Sequence, residues 1–352
     1  MGNGNTPLSP SQRAMLFAQA TREYKVGQPS KIYANGQTLR FDLPKSRFLS
    51  KILLNVKGTF KATHASKTTF TEMTIGRYNL LKQVRVSINN GFNPFQISGK
   101  SLKLYNIINN LSKPDSDVFG MDTFGNTVSS SGATNTVNFT LEIPLTLNDR
   151  DAVGLILLQN DETYVTMELD LGGIVDCMTD TDVTISAESI VITPTLHTFS
   201  IPKDPNAVPD YSVIKLVNQQ KDNILGDGET ITKLSTGLTY RKMIIIVETD
   251  SKGTPMPHAQ VQSFQIALNE GDTPYNISAD TLAYQNWKDY DGALPLGVYV
   301  FDWSGQGIPN LGGGRDYIDT AQMTEFQLKT KFTGTSGSNY ITVVSEKLSR
   351  MV

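Results

Sequence analysis

The sequence has few of the residues that covalent and catalytic chemistry use most. Its 352 residues include one cysteine, two tryptophans and three histidines. Because Cys177 is the only cysteine, an intramolecular disulfide bond is excluded, and folding in a reducing cytosol is the expectation. We interpret Cys177 as a small buried residue rather than a nucleophile, so packing and assembly must stabilise the fold.

Long apolar runs and targeting segments are also missing. Met243–Val247 is among the longest apolar runs, whereas a membrane-spanning helix needs about 20 such residues. The first residues, MGNGNTPLSPSQ, lack the basic and apolar regions of a secretion signal. The sequence therefore predicts neither a membrane span nor export through the secretory pathway.

The familiar catalytic motifs are absent as well. There is no CxxC, HExxH, GxSxG or GxxxxGK[ST] pattern. The histidines are scattered over predicted strand ends and loops, which favours surface or packing roles; they are His64, His197 and His258. Glu142 with Glu168 is the one carboxylate pair that a β-sandwich hydrolase would use, and we expect it to be inactive. We predict no enzyme activity and no cofactor.

Three weaker features suggest binding, and each has a simpler interpretation. Asp176, Asp180 and Asp182 would form a loose cation site, but their spacing fits no Ca²⁺ loop and a solvated turn is favoured. The run 312–315, GGGR, would seat an anion, yet it follows no strand-to-helix phosphate motif. Trp287 and Trp303 would stack on sugars in a lectin, although anchoring in a core is the favoured interpretation.

Charge is distributed unevenly although the net charge is only −3. Residues 1–103 hold 16 Lys/Arg and 3 Asp/Glu, and residues 104–200 hold 2 and 14. One interpretation is a basic surface that meets an anionic partner or the acidic flank of the next subunit. The other is that strands from the two parts interleave, so that their charges neutralise each other.

Alternation of apolar and polar residues is the strongest structural signal. Between Thr136 and Leu171, two alternating segments flank a loop that contains the apolar run 153–158. A looser copy follows at 297–332. The segment KMIIIVET at 242–249 likewise parallels KILLNVKG at 51–58, and short helices are predicted at 100–111 and 279–289. The pattern predicts one β-module built twice.

The predicted fold is all-β, with two tandem eight-stranded jelly-roll barrels, an N-terminal helix and short flanking helices. We expect an N-terminal helical arm at 1–31, a first barrel at 32–200, a proline-rich linker at 201–210 and a second barrel at 211–352. The helix is predicted over Leu8–Gly27, with Ser9 as its cap and Pro10 at its first position. It is apolar and basic, so it must cover its own domain, a neighbouring subunit or an anionic membrane.

Three local patterns resemble one protein family. LSPSQRAML at 8–16 resembles the opening helix of tectivirus major capsid proteins. The pair PL at 144–145, followed by Asp151, Gly154 and Leu157, resembles the segment after a late strand of their first barrel. PLGVYVFD at 295–302 is similar to the matching strand of their second barrel.

The resemblance implies a double jelly-roll capsid protein of a bacteriophage. Such proteins form homotrimers that tile an icosahedral virion shell over an internal membrane, assembled in the host cytoplasm. Their partners would be neighbouring capsid trimers, membrane lipids and minor capsid proteins, with no sequence-specific contact to nucleic acid. On this basis the expected inner-side contacts with membrane or neighbours are Arg13, Leu16, Phe17, Arg22 and Lys25.

The resemblance also bears on the outer surface. The short turn at 89–94 makes tall towers on the first barrel doubtful, and the loop 304–317 is the better candidate for exposed decoration. The alternative function is a virion spike or a carbohydrate-binding β-sandwich protein. Aligned aromatic residues on an exposed face, together with monomers in solution, would favour that alternative.

Overall fold

The fold is known from a computed structural model that describes residues 10–89, 91–110, 121–147, 153–160, 162–208, 212–269, 271–292, 294–305, 314, 316–335 and 337–350. Strands dominate these residues. Three α-helices accompany them: α1 (Pro10–Ala20), α2 (Gly99–Asn110) and α3 (Ala279–Asp289). None of the helices in these ranges combines the length and apolar character of a membrane span.

The first barrel consists of strands β1–β11. They are β1 (Glu23–Gly27), β2 (Lys31–Ile32), β3 (Thr38–Asp42), β4 (Phe48–Thr63), β5 (Leu81–Ile88), β6 (Phe92–Ile97), β7 (Thr123–Phe124), β8 (Ala133–Pro144), β9 (Ile156–Leu157), β10 (Val165–Leu171) and β11 (Thr184–Phe199). Its sheets have the orders β1-β11-β4-β8-β7 and β6-β5-β10-β3.

The second barrel consists of strands β12–β20. They are β12 (Val213–Ile224), β13 (Gly228–Lys233), β14 (Thr239–Glu248), β15 (Val261–Leu268), β16 (Asp272–Ser278), β17 (Val298–Asp302), β18 (Ile318–Asp319), β19 (Phe326–Phe332) and β20 (Asn339–Arg350). Its sheets have the orders β17-β14-β20-β12 and β13-β19-β15-β16.

The two barrels have the same topology. In each, the first, last, third and sixth principal strands form one sheet, and the second, seventh, fourth and fifth form the other, as in a jelly roll. The helix follows the fifth strand in both barrels: α2 after β6 and α3 after β16. The predicted pair of tandem jelly rolls is confirmed.

Alternation along the strands explains where the cores form. In β8, Val137, Phe139, Leu141 and Ile143 are fully buried, whereas their neighbours contact solvent at least partly. One apolar cluster fills the first barrel and extends to residues of the second, and another fills the second barrel. A small third cluster holds Phe17 of α1 against Phe48 and Leu155.

The N-terminal segment differs from the predicted helix. Helix α1 ends at Ala20, and Glu23–Gly27 forms β1, which pairs antiparallel with β11 along its whole length. Thr21 marks the change, because its hydroxyl donates to the Phe17 carbonyl at 2.7 Å. Tyr24 and Val26 favour extended backbone, and the open edge of β11 supplies hydrogen bonds that a solvated helix end lacks.

The uneven charge distribution is largely neutralised inside the first barrel. Arg85 on β5 pairs with Glu168 on β10 at 3.2 Å, and Lys51 on β4 pairs with Glu142 on β8 at 3.4 Å. Basic strands from residues 1–103 thus lie beside acidic strands from residues 104–200, as the interleaving interpretation requires.

Candidate assembly interface

The two barrels are joined by one continuous sheet. Strand β12 of the second barrel pairs in parallel with β6 of the first, with Val217 opposite Phe95 and Asn218 opposite Gln96. The other named strand pairs are antiparallel. The Ser98 N–H donates to Gln219 Oε1 at 2.9 Å and extends the junction by one residue. Backbone hydrogen bonds therefore cross from barrel to barrel.

Helix α2 lies between the barrels. Ser98 precedes it, and the Ser98 hydroxyl accepts the Ser101 N–H at 3.2 Å, as an N-cap does. Leu104 and Ile107 on this helix are fully buried. Leu104 and Lys100 share a small cavity with Ile246 and Val298 of the second barrel. The helix therefore carries apolar side chains across the junction.

A cluster of buried charges reinforces the same junction. Glu346 on β20 accepts hydrogen bonds from Arg241 of its own barrel and from Tyr105 of α2. Lys215 on β12 donates to the Thr146 carbonyl of the first barrel at 2.5 Å. All four side chains are nearly inaccessible to solvent. Each buried charge has a partner, which is the condition under which burial is tolerated.

Burial and neighbouring charges move the pKa values of this cluster in opposite directions. Desolvation lowers the pKa of the Lys215 ammonium to about 7, although the Glu346 carboxylate opposes the shift. Desolvation raises the pKa of Glu346, but Arg241, Lys215 and Lys242 outweigh it and hold the pKa at about 2. Glu346 is thus ionised at neutral pH, while Lys215 is close to its own titration point.

Two further polar contacts bridge the barrels, an ion pair and a hydrogen bond. The Lys100 ammonium on α2 lies 2.7 Å from Glu248 Oε1 on β14. Lys242, also on β14, donates to Asn109 Oδ1 of α2 at 2.8 Å. The helix is therefore held by apolar packing along its middle and by polar contacts at both ends.

The hairpins that precede the two helices share a sequence pattern, which is not among the parallels between the two β-modules noted above. INNGFNPFQIS at 88–98 matches LNEGDTPYNIS at 268–278, at a constant spacing. Asn89 and Asn269 both have positive φ angles, 52° and 47°. The Asn89 side chain accepts the Tyr164 N–H at 2.8 Å, and Asn269 accepts the Thr324 N–H at 2.9 Å. An alignment of the chain with itself would have found this repeat.

The helices themselves are equivalent at the level of hydrogen bonds. Asn106 on α2 exchanges two hydrogen bonds with the backbone of Glu142, at 2.7 and 2.9 Å. Asn286 on α3 makes the same two bonds with the backbone of Val300, both at 2.8 Å. The two asparagines occupy matching places in the two barrels, so they identify which residues of one barrel correspond to which residues of the other.

Comparison with known proteins agrees with this architecture. No protein-family model and no curated protein matches the sequence. Among solved structures, the major capsid protein of Sulfolobus turreted icosahedral virus matches with a TM-score of 0.70 and 13% identity, over 93% of this chain and 96% of that one.

Two further structures show the same likeness. The capsid protein of the virus PBCV-1 has a TM-score of 0.66 at 10% identity, covering 93% of this chain and 94% of that one. The major capsid protein of bacteriophage PM2 has a TM-score of 0.54 at 11% identity, covering 94% and 98%. This chain is a double jelly roll.

The double jelly roll places the predicted N-terminal contact residues in two elements. Arg13, Leu16 and Phe17 lie on α1, and Lys25 lies on β1. Phe17 is buried in its own chain, with ring centroids 5.5 Å from Phe199 and 6.3 Å from Phe48. Arg22, between α1 and β1, is exposed.

The predicted binding and catalytic candidates are dispersed. Asp180 and Asp182 both contact the Lys67 ammonium, at 2.5 and 2.7 Å, which holds their pKa values below the usual range. Asp176 instead pairs with Lys82 at 3.3 Å. In the described ranges, no group of three or more acidic, histidine or cysteine side chains is arranged to hold a metal ion.

The remaining candidates are held by other contacts. Glu142 and Glu168 lie on different sheets, each beside a basic residue. Cys177 is fully buried, and desolvation raises its thiol pKa well above the usual value. His64 contacts Asp182, His197 contacts Glu23, and His258 contacts Asp280. Most of the loop 304–317, including Gly312, Gly313 and Arg315, lies outside the described residues.

The two tryptophans have different environments. Trp303 is buried in the second barrel, stacked on Phe301 at 6.0 Å, as predicted. Trp287 on α3 is 63% exposed, so the prediction of core anchoring is wrong for this residue. The helical periodicity places Trp287 on the outer face of α3, opposite the face that Leu282 buries.

Proposed function

We propose that this protein is the major coat subunit of an icosahedral virion. The observation that carries the proposal is the duplication: two barrels of the same topology, fused through a continuous sheet, give one chain two similar assembly modules. Three such chains around a threefold axis supply six similar barrels, which is a tile with a nearly hexagonal outline. Homotrimers and contacts between neighbouring trimers are part of the proposal.

The domain division belongs to the same proposal. We take residues 23–200 and 211–352 as the two barrel domains and residues 201–210 as the linker. Strand β1 contributes to the first barrel's sheet, so we end the N-terminal arm at residue 22 rather than 31. The protein is proposed to be a structural component without enzyme activity, cofactor or sequence-specific contact to nucleic acid.

Expression of the chain alone tests the function. Native mass spectrometry should give three times the 38.7 kDa mass of the chain, and negative-stain images should show nearly hexagonal particles. Monomers at micromolar concentration that bind a glycan would instead favour the alternative, a spike or carbohydrate-binding protein. The stacked and exposed pair Tyr284 and Trp287 is the feature that a sugar would use.

We further propose that the N-terminal arm faces an internal virion membrane, in a shell that minor capsid proteins complete. Arg13 and the exposed Arg22 would contact anionic headgroups, while Phe17 fastens α1 to the barrel. Leu16, half-buried, and Lys25, on β1, lie beside these residues and complete the proposed contact region.

Charge reversal tests the arm. We expect R13E/R22E to form normal trimers but to lose most binding to vesicles that contain phosphatidylserine, because each basic residue near an anionic surface contributes about 1 kcal/mol. Vesicle flotation measures the loss, and K233E, an exposed change in the second barrel, is the control. Equal flotation of both variants would remove the membrane role.

A further inference from the structure

The outer face of helix α3 carries two largely exposed aromatic side chains, next to an aspartate that contacts His258. Asp280, Tyr284 and Trp287 lie at helical spacing, so they share one face. Tyr284 is 66% exposed and Trp287 63%, and their rings stack with centroids 6.4 Å apart. Two large aromatic side chains left side by side in water mark an interaction surface.

The duplicated hairpin identifies the residues of α2 that match this stripe. The constant spacing of the repeat pairs Lys100 with Asp280, Leu104 with Tyr284 and Ile107 with Trp287. The pairing of Asn106 with Asn286 confirms that it continues through both helices. On α2, however, Leu104 and Ile107 are fully buried, and Lys100 and Leu104 face the second barrel.

Hence α3 exposes positions that are largely buried on α2, and α2 uses two of the three, Lys100 and Leu104, to contact the next barrel along the chain. We propose that α3 docks on the first barrel of a second copy of this chain, in the way that α2 docks on the second barrel of its own. The inference rests on the proposed function, and it assigns the subunit interface to particular residues.

The receiving surface follows from the strand registers. Ile244 of β14 lies opposite Val300, and Leu53 of β4 lies opposite Glu142. Because Val300 and Glu142 make equivalent bonds with Asn286 and Asn106, Leu53 is the counterpart of Ile244. Counting along the strands, Asn55 then matches Ile246, and Lys57 matches Glu248.

Charge complementarity supports this docking. Within the chain, Lys100 on α2 contacts Glu248 on β14 at 2.7 Å. At the matching positions between two copies, Asp280 on α3 would meet Lys57 on β4, in addition to His258 of its own chain at 2.6 Å. The acid and the base have exchanged places, so the pair stays attractive. Both side chains are exposed.

The composition of the receiving surface suits a contact that forms after folding. Ile246 and Val298, which receive α2, are apolar and buried. Their counterparts Asn55 and Thr140 are polar, and the Asn55 amide donates to the Thr140 hydroxyl at 3.0 Å. A polar receiving surface keeps the free subunit soluble. Tyr and Trp side chains bind well to such surfaces, because each combines a large apolar ring with a polar group.

The sheet edges give an independent indication. In the described chain β16 pairs only with β15, and β1 only with β11, so each leaves one edge open. Strand β16 is the counterpart of β6, and β1 of β12, which pair in parallel within the chain. In the chain, Val217 of β12 lies opposite Phe95 of β6, and Asn218 lies opposite Gln96. Lys25 and Val26 are the counterparts of Val217 and Asn218, and Tyr275 and Asn276 are the counterparts of Phe95 and Gln96. The same register between two copies would therefore place Lys25 opposite Tyr275 and Val26 opposite Asn276. Open edges are usually protected, and this pairing would close both.

Cysteine cross-linking tests the register. We expect V26C/N276C, under mild oxidation, to give covalent dimers and trimers and no larger ring on non-reducing gels, because directly paired residues lie within disulfide reach. Mixing the single variants V26C and N276C should give dimers only. The shifted pair V26C/D272C is the matched control. Equal cross-linking of the shifted pair would overturn the register.

Substitution tests the docking surface. We expect Y284S/W287S to raise the concentration at which trimers dissociate by at least about 100-fold, as loss of two central aromatic residues does at other interfaces. L225S, which changes a leucine that is 97% exposed elsewhere, should leave it unchanged. D280K should weaken the trimer, and K57D/D280K should restore it. Thermal melts of the monomers report whether each variant folds.

The outcomes separate this inference from the proposed function. Trimers of wild type together with equally stable trimers of Y284S/W287S would overturn the docking surface and leave the coat function standing. Failure of K57D to rescue D280K would overturn the ion pair. Wild-type monomers that never form particles would contradict the coat function itself, and binding of glycan by those monomers would assign the aromatic pair to sugar.

Discussion

At the residue scale, the junction between the barrels contains a buried lysine whose pKa is lowered to near neutral pH. Lys215 is buried, and desolvation lowers its pKa to about 7. The unfolded chain keeps this proton up to about pH 10.5, the ordinary value for lysine. Between these two pH values the unfolded state therefore binds more protons than the folded state, and raising the pH favours folding.

We predict that K215M removes this part of the pH dependence. The free energy of unfolding of the wild type should rise between pH 7 and pH 10, and the rise should be smaller in K215M by about 1 kcal/mol or more. Urea unfolding at several pH values measures both. K233M, at an exposed position, should keep the wild-type slope. An identical slope in K215M would show that Lys215 is not the group responsible.

No sequence pattern would have revealed the buried charges. Lys215 is the one charged residue in the apolar segment VIKLV at 213–217, and its ammonium donates to the Thr146 carbonyl of the first barrel, 69 positions earlier in the chain. Glu346 and Arg241 are likewise buried by packing between distant elements. Trp287 shows the reverse error, because a tryptophan in a small amphipathic helix is usually buried, whereas here it is largely exposed.

At the element scale, the two matching hairpins have the same geometry, and their contributions to the free energy of unfolding can be compared. Asn89 and Asn269 each combine a positive φ with a side-chain bond to a neighbouring strand. We expect N89A and N269A to lower the free energy of unfolding by similar amounts, about 1–2 kcal/mol. Alanine disfavours a positive φ angle, and it has no side-chain oxygen to accept the hydrogen bond.

Glycine at the same positions separates the two causes. N89G and N269G keep the backbone angle and lose only the side-chain bond, so each should cost less than the alanine change. Chemical denaturation gives all four values. A large loss in one hairpin and none in the other would mean that the repeat is conserved in shape but not in its contribution to stability.

Strand prediction succeeded where alternation was strong and failed where local and tertiary preferences compete. Strand β10 lies within one residue of its predicted position, and strand β8 begins at Ala133, three residues before the predicted start at Thr136. Strand β1 was assigned to a helix, because LSPSQRAMLFAQA is a good helix start and nothing between Ala20 and Glu23 breaks the pattern. Only pairing with β11, more than 160 residues away, decides that segment.

At the scale of the whole molecule, the continuous sheet and the buried helix α2 should make the barrels unfold together. We predict that L104A lowers the free energy of unfolding by about 2–5 kcal/mol, because it leaves a cavity between the barrels. The single calorimetric transition should move to lower temperature without splitting. Y284A, at the matching exposed position, should shift the monomer by less than about 0.5 kcal/mol.

Two separate transitions in the wild type would contradict this coupling. They would mean that the junction of β6 with β12 adds little to stability, and that the tandem barrels are linked mainly by their connection. The domain organisation was expected from the sequence, but the tightness of the junction was not, since it arises from α2 residues whose partners lie more than 130 positions later.

Because the chain is synthesised from its N-terminus, helix α2 is made before the second barrel that packs against it. A ribosome completes the first barrel before any of the second has emerged, and until then Leu104 lacks the second-barrel residues Ile246 and Val298 that lie beside it in the finished chain. During that interval the nascent chain exposes an apolar surface of α2 beside the edge of β6, which has not yet paired with β12. Slow translation beyond residue 208, or a chain truncated there, should therefore recruit chaperones or aggregate, whereas the finished chain conceals the liability within itself.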